Sequence, residues 1–150
     1  TDGTVVGTQL LHDGDGSQFA STGDRVHMRF QCTGCKESRL VTDGTPAGTR
    51  LVSLPSGLAD SGRFSAAIGS EAVVFSCQNS RRGEELCVSD ASGDATVALP
   101  EIFPGQPSSA PILVGKTASA VFFSADDGVH GRELWQVHVL ADAVFADGFQ

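Results

Sequence analysis

Two stretches of the sequence share one frame without a gap. Residues 75–87 read F-S-C-Q-N-S-R-R-G-E-E-L-C, and residues 123–135 read F-S-A-D-D-G-V-H-G-R-E-L-W, so that the shared residues lie 48 positions apart. Self-similarity at a spacing of about 40 to 50 residues is typical of propellers and solenoids, in which each copy is one supersecondary unit that packs on the next. The chain is therefore expected to consist of stacked repeats.

A second motif recurs three times. Residues 1–11 read T-D-G-T-V-V-G-T-Q-L-L, residues 42–52 read T-D-G-T-P-A-G-T-R-L-V, and residues 89–99 read S-D-A-S-G-D-A-T-V-A-L. The D-G-T residues or their substitutes favour a turn, and the alternating residues that follow favour a short strand. We therefore expect a turn and a strand in each copy, including the one that opens the chain.

The third recurring element is a glycine followed by a largely apolar run, over residues 23–30, 69–75 and 115–123. A glycine turn before such a run predicts a hairpin that leads into a buried strand. Short apolar pieces at 66–68 and 112–114 supply the preceding strand in the later two copies. This alignment makes the loop after the first run two residues shorter than in the other copies.

Four short antiparallel strands in about 48 residues form the repeating sheet of a β-propeller. The sequence therefore predicts an all-β fold with propeller blades of four antiparallel strands, about three blades over residues 1–139, and a C-terminal tail over 140–150. The chain starts in mid-blade, because its first strand is a fourth strand. Propellers close with about four to eight blades. The expected partner is therefore the remaining blades of the same precursor or another copy of this chain.

Charge and hydropathy exclude several classes of function. The chain has 10 Lys and Arg against 18 Asp and Glu, a net charge of -8, and its basic residues are scattered. Nucleic acid is not an expected partner, because phosphate binding needs a positive footprint. No apolar run approaches the roughly 20 residues of a membrane-spanning helix. The opening T-D-G-T is no signal peptide, so a leader of an exported protein would lie upstream of Thr1.

The four cysteines are Cys32, Cys35, Cys77 and Cys87. An even number fits disulfides formed in an oxidising compartment, although four cysteines allow three connectivities. If the strands around Cys77 and Cys87 are antiparallel neighbours, these two lie nearly opposite each other, which leaves Cys32 with Cys35. The alternative is a C-x-x-C redox or zinc pair at Cys32 and Cys35, for which the isolated His27 is the only nearby further ligand.

Paired carboxylates suggest a cation. Asp13 and Asp15 lie in a glycine-rich stretch, and Asp126 and Asp127 precede another glycine. Closely spaced aspartates in a flexible loop can supply the oxygen ligands of calcium, although neither stretch has the spacing of an EF-hand. Calcium is the only cofactor that the sequence suggests, and solvated turns are the alternative for both stretches.

No motif predicts a catalytic residue. Gly115–Thr117 reads G-K-T, but Ala110 stands where a phosphate-binding loop has glycine. The chain contains neither a G-x-S-x-G elbow nor an H-E-x-x-H helix. The apolar neighbours of His27 and His138 predict strand-surface positions, and the place of His130 in the recurring loop predicts a structural role.

The recurring residues also resemble a known family. R-E-L-W at 132–135 and L-V-T-D-G-T-P-A-G-T-R-L-V at 40–52 are similar to the E-L-W-x-x-D-G-T repeat of secreted bacterial proteins, whose repeats are believed to build β-propellers. The resemblance covers about residues 1–137. The chain departs from the pattern at Leu40 and Cys87, which replace the tryptophan, and no D-G-T follows Trp135.

The ending V-F-A-D-G-F-Q at 144–150 resembles the tails that close many exported bacterial proteins. The resemblance therefore implies a secreted, cell-surface or periplasmic protein. The favoured hypothesis is an exported propeller segment that acts as a binding or scaffolding module through one propeller face. The alternative is part of a propeller enzyme whose catalytic residues lie mostly outside this chain.

Overall fold

The computed structural model describes residues 4, 7–34, 38–55 and 57–138, and all regular structure in these ranges is β. The strands are β1 (Asp15–Thr22), β2 (Arg25–Gln31), β3 (Ser38–Thr42), β4 (Arg50–Val52), β5 (Ala59–Ile68), β6 (Ala72–Gln78), β7 (Glu85–Asp90), β8 (Thr96–Ala98), β9 (Ile112–Lys116), β10 (Ala120–Asp126) and β11 (Arg132–His138). The expected all-β class is confirmed.

The strands form three antiparallel sheets in chain order. The first sheet is β1-β2-β3-β4, the middle sheet is β5-β6-β7-β8, and the last sheet is β9-β10-β11. Strand β5 contacts both β1 and β9, so the first strands of the three sheets are neighbours. Each sheet is a meander in which every strand pairs with the next along the chain, as four-stranded units would require.

The middle sheet has a hydrophobic core on each of its faces. On one face, buried Val73 and Phe75 pack with Ala20 of the first sheet. On the other face, Val74 and Leu86 belong to a cluster that includes Val121 and Phe123 of the last sheet. Alternating side chains of a strand point to opposite faces. This alternation explains how β6 serves both cores, with every residue from Ala72 to Cys77 buried.

The two stretches that share one sequence frame form hairpins in the middle and last sheets. Phe75 pairs with Cys87 in the middle sheet, and Phe123 pairs with Trp135 in the last sheet, so each residue of the second pair lies 48 positions after its counterpart. The two hairpins therefore share one register.

The alignment of the first sheet needs a correction. Met28 pairs with Leu40, and both residues lie 47 positions before Phe75 and Cys87. Met28, and not Phe30, therefore occupies the position of Phe75. The loop after β2 is as long as its counterpart in the middle sheet and not two residues shorter. The sequence alignment had matched Phe75 with Phe30 because both are aromatic. Phe30 lies two positions after Met28, on the same face of β2.

Two glycine-based expectations have different outcomes. Gly23 and Gly69 lie in hairpin turns with φ of 54° and 56°, a conformation that glycine adopts readily. Gly115, by contrast, lies inside β9 next to an irregularity in its pairing with β10. The turn follows later, where Thr117 accepts a hydrogen bond from the backbone of Ala120 and donates its own N–H to the same residue.

The ends of the first sheet also differ from expectation. Strand β1 was not predicted, because its sequence is mostly polar and its first five residues are exposed. Residues 7–12 were expected to contain a strand, but none of them belongs to one. A fourth strand needs a third strand as its hydrogen-bonding partner. These residues instead contact the first sheet, where the His12 ring packs edge-on against Phe30 at 4.6 Å.

The packing of the last sheet on the middle sheet can be tested at Phe123, which is 2% exposed. Replacing it with alanine is expected to reduce the free energy of unfolding by about 3 to 5 kcal/mol, because a buried ring is lost and a cavity remains. Urea denaturation measures this. Val129, 78% exposed, is the control, and its alanine variant is expected to change stability by no more than about 0.5 kcal/mol.

Candidate functional site

The sheets have two unlike ends. At one end, here called the turn end, lie the turns after β3 and β7, residues 43–49 and 91–95. At the opposite end, here called the loop end, lie the loops 79–84 and 127–131 and the connection 99–111 between the middle and last sheets. The longest connection in the described part of the chain, 99–111, therefore lies at the loop end.

The loop end holds both aspartate pairs that the sequence suggested for calcium, but on different sheets. Asp13 and Asp15 border a polar cleft of about 470 Å³ beside the first sheet. Asp126 ends β10 in the last sheet, and Asp127 is the first residue of the loop that follows. The middle sheet lies between these sheets, so the four carboxylates do not form one site. Asp15 is also the first residue of β1 and not part of a flexible loop.

Asp127 is engaged in its own loop. One carboxylate oxygen accepts the N–H groups of Val129 and His130 at 2.8 Å each, and the other lies 2.8 Å from Nδ1 of His130. Hydrogen bonds from His130 and Val129 lower the pKa of Asp127 to about 2. The hydrogen bond and charge of Asp127 raise the pKa of His130 above its usual 6.5. The role of His130 is therefore to close this loop, in agreement with its expected structural role.

The same loop brings together a mixed set of metal-ligating groups. Ligand atoms of Asp127, His130 and Glu133 all lie within 4.8 Å of one another. One nitrogen and two carboxylate oxygens are donors that suit a divalent transition metal better than calcium. The sequence had paired Asp127 with Asp126, whose carboxylate instead accepts the N–H of Gly128 at 2.7 Å. The pattern D-x-x-H-x-x-E at residues 127–133 could have revealed these three ligands in the sequence.

Glu133 belongs to the recurring E-L pair, and its counterpart in the middle sheet has a clear structural role. Glu85 is fully buried and accepts the N–H groups of Ile102 and Phe103 at 3.1 and 3.0 Å and the hydroxyl of Ser109 at 2.8 Å. It thereby fixes the connection to the last sheet. Within the described part of the chain, the buried Oε2 of Glu133 has no hydrogen-bond partner.

A buried ion pair that the sequence did not reveal joins the first and middle sheets. Nη1 of Arg39 donates to Asp60 at 2.6 Å, and both side chains are 0% exposed. Nη2 of Arg39 donates to Ser65, and the guanidinium lies 4.3 Å from the ring centroid of Phe75. Burial lowers the pKa of Arg39 and raises the pKa of Asp60, while their mutual attraction opposes both shifts.

His27 also lies between these sheets. The sequence placed it on a strand surface, but it is 0% exposed, because the turn after β7 covers it. Its Nε2 lies 2.9 Å from the carbonyl oxygen of Ala91, to which the neutral ring donates. Burial lowers the pKa of His27. His27 therefore connects the sheets and does not take part in a cysteine-based metal site.

Cys77 and Cys87 form a disulfide with a Cα–Cα distance of 5.9 Å. They are diagonal neighbours across β6 and β7, since Cys87 pairs with Phe75 and Cys77 with Glu85. Cys32 is disulfide-bonded as well. Cys35, its expected partner, lies outside the described residues.

An apolar groove of about 650 Å³ runs between the middle and last sheets. It is lined by Leu86, Leu99 and Ile102 on one side and by Phe123, Trp135 and Val137 on the other. Trp135 is held in place by its indole N–H, which donates to the carbonyl oxygen of Ala125 at 3.2 Å. The groove lies beside β11, which among the described strands pairs with β10 alone.

The chain matches no protein-family model, no curated protein and no solved structure. The described residues contain no helix with the length and hydrophobicity that crossing a membrane requires.

The ion pair between the sheets gives a test of stability. Asp60→Ala is expected to reduce the free energy of unfolding by about 3 to 5 kcal/mol, because it leaves the charge of Arg39 buried and unpaired. The double variant Arg39→Leu, Asp60→Ala is expected to lose less than half as much, since leucine stands at the matching positions 86 and 134. Guanidinium denaturation gives both values. Equal losses in the two variants would contradict a penalty from the unpaired charge.

The Asp127–His130 contact gives a test by pH. A raised pKa of His130 means that the contact stabilises the loop fully below pH 6.5 and ceases to do so as the pH rises through the folded-state pKa. NMR titration of the His130 ring is expected to show a midpoint above 6.5. Asp127→Asn should lower this midpoint, whereas Asp126→Asn should not. An unchanged midpoint in Asp127→Asn would show that the carboxylate does not act on the ring.

Proposed function

We propose that the chain is a segment of an exported β-propeller that acts as a binding or scaffolding module through its loop end. The observation that carries this proposal is the arrangement of the three sheets. They follow one another in chain order, pack face to face and bring their first strands β1, β5 and β9 together. Neighbouring blades of a propeller, each with its first strand next to a central channel, have this arrangement.

Binding is assigned to the loop end because the turn end serves another purpose. Arg50 of β4 donates to the carbonyl oxygen of Ser92 and to Asp94, both at 2.6 Å, in the turn after β7. His27 contacts Ala91 in the same turn. The turns that carry the D-G-T motif therefore join one sheet to the next. The loops at the opposite end vary between the sheets, and variable loops on a rigid scaffold are where binding residues concentrate.

Export is supported by the disulfide between Cys77 and Cys87, because such bonds persist in oxidising compartments. The charge of -8 and the scattering of the basic residues along the sequence disfavour nucleic acid as a ligand. Binding is favoured over catalysis because the most strongly interacting polar groups are occupied within the fold. Glu85 holds a connection, Arg39 is neutralised by Asp60, and Asp127 closes its own loop.

The proposal can be tested by screening the purified protein against glycan and peptide arrays, with calcium and with a chelator. A ligand found in this way should bind roughly tenfold more weakly to Asp13→Ala, Asp15→Ala, as expected when a hydrogen bond to a charged group is lost. Asp24→Ala at the turn end is the matched control, because Asp24 is also a solvent-exposed aspartate. Equal weakening by the control would contradict the assignment, and chemical turnover of the ligand would favour the enzyme alternative.

A further inference from the structure

We propose that a second copy of this chain adds its residues 8–11 to the edge of β11 as the fourth strand of the last sheet, with the partner's Leu10 in the apolar groove. This deepens the proposed function by naming the partner, and it rests on the blade arrangement described there. The proposal joins three features of the molecule: an open strand edge, a groove beside it, and a segment of suitable sequence.

The edge in question is that of β11, which no described strand covers on the side away from β10. Strands β3 and β7, its counterparts, each pair on this side with a fourth strand, β4 or β8. Among the described strands β11 has only β10 as a neighbour, although its seven residues extend from Arg132 to His138. A free strand edge presents unpaired backbone groups and is a site where an extended segment can add.

The groove shows what such a strand would contribute. In the middle sheet, Ala98 of β8 stands opposite Cys87 and packs with Leu54 against the core shared with the first sheet. Trp135 is the counterpart of Cys87, 48 positions later. A side chain opposite Trp135 would therefore point into the same space between the middle and last sheets. That space is the groove of about 650 Å³, which is large enough for a leucine.

The segment at the start of the chain has the sequence and the position of a fourth strand. Residues 8–11 read T-Q-L-L and correspond to residues 49–52, T-R-L-V, at an offset of 41. Gln9 donates to the carbonyl oxygen of Gly44 at 3.4 Å, in the turn after β3. Its counterpart Arg50 donates to Ser92 in the turn after β7. The segment thus contacts the first sheet as β4 contacts the middle sheet. The side chain of Leu10 is 78% exposed in the single chain.

The register of the added strand follows from the two complete sheets. Leu40 pairs with Leu51, and Cys87 pairs with Ala98. Carried to the last sheet, this register places the partner's Leu10 opposite Trp135 and the partner's Gln9 opposite Gln136. The leucine then enters the groove, and the two glutamines lie on the other face of the sheet.

Reciprocal addition between two copies gives a closed ring of six sheets, within the range of about four to eight that propellers use. Closure also covers the apolar residues that single molecules expose at the two ends of the stack. Phe19 is 61% exposed on β1, and Ile112 and Val114 are 48% and 62% exposed on β9. Since β1 neighbours β5 and β5 neighbours β9, β9 of one copy and β1 of the other would become neighbours in the same way.

The association can be tested with the 150-residue chain by light scattering. A particle of twice the 15.5 kDa chain mass is expected. Leu10→Asp should weaken association by more than roughly tenfold, because an apolar contact is lost and a charge enters the groove. Val129→Asp is the matched control, since Val129 is also 78% exposed but lies in the loop 127–131 away from the edge of β11. A monomer, an open polymer or an equal effect of both variants would overturn the proposal.

The register can be tested by crosslinking. The variant Gln9→Cys, Gln136→Cys should form a disulfide-linked dimer on oxidation, because directly opposite residues of neighbouring strands have the required separation. The variant Gln9→Cys, His138→Cys should give a severalfold lower yield of the linked dimer. A disulfide between positions 9 and 136 of the same chain would overturn the proposal. It would also be overturned if the chain's own residues 139–150 were found to cover the edge of β11. Neither result bears on the array test, so the ligand-binding proposal can fail or stand separately.

Discussion

The middle sheet has apolar side chains on both faces, and this single constraint orders the rest of the structure. A sheet that is apolar on both sides must be covered on both sides, because leaving either face in water forfeits its hydrophobic stabilisation. The core residues of β6 and β7, Val73 and Phe75 on one face and Val74 and Leu86 on the other, cannot be buried by one neighbour. The first and last sheets therefore each form a core with one face of the middle sheet, and each keeps a further face of its own.

The interface between the first and middle sheets differs from the other one in chemistry. Arg39 stands where the repeat has Leu86 and Leu134, and it requires Asp60 and Ser65 as partners. Replacing a buried apolar contact by an ion pair seldom adds stability, because desolvation offsets most of the attraction. It does restrict which surfaces can meet. The polar partners of Arg39 thus distinguish this pair of sheets within an otherwise repetitive stack.

The sequence predicted individual strands where residues recur and failed where they do not. The 48-residue offset specified the hairpins of the middle and last sheets, because the same pleated environment selects the same residue types. Strand β1 was missed since its exposed residues carry no apolar alternation. The ion pair of Arg39 with Asp60 was invisible because it joins residues 21 positions apart. The set of Asp127, His130 and Glu133 was missed because adjacent carboxylates suggested a different grouping.

The carboxylate of Glu133 has two uses that exclude each other. If a further sheet followed the last one, its connecting loop would offer backbone N–H groups to Glu133, as Ile102 and Phe103 offer theirs to Glu85. An oxygen that accepts those hydrogen bonds has less electron density to give to a cation shared with Asp127 and His130. Assembly into a larger ring would therefore remove a ligand from this set. Glu85 stabilises the connection between the middle and last sheets, and Glu133 would be free to bind a metal only where no such connection reaches it.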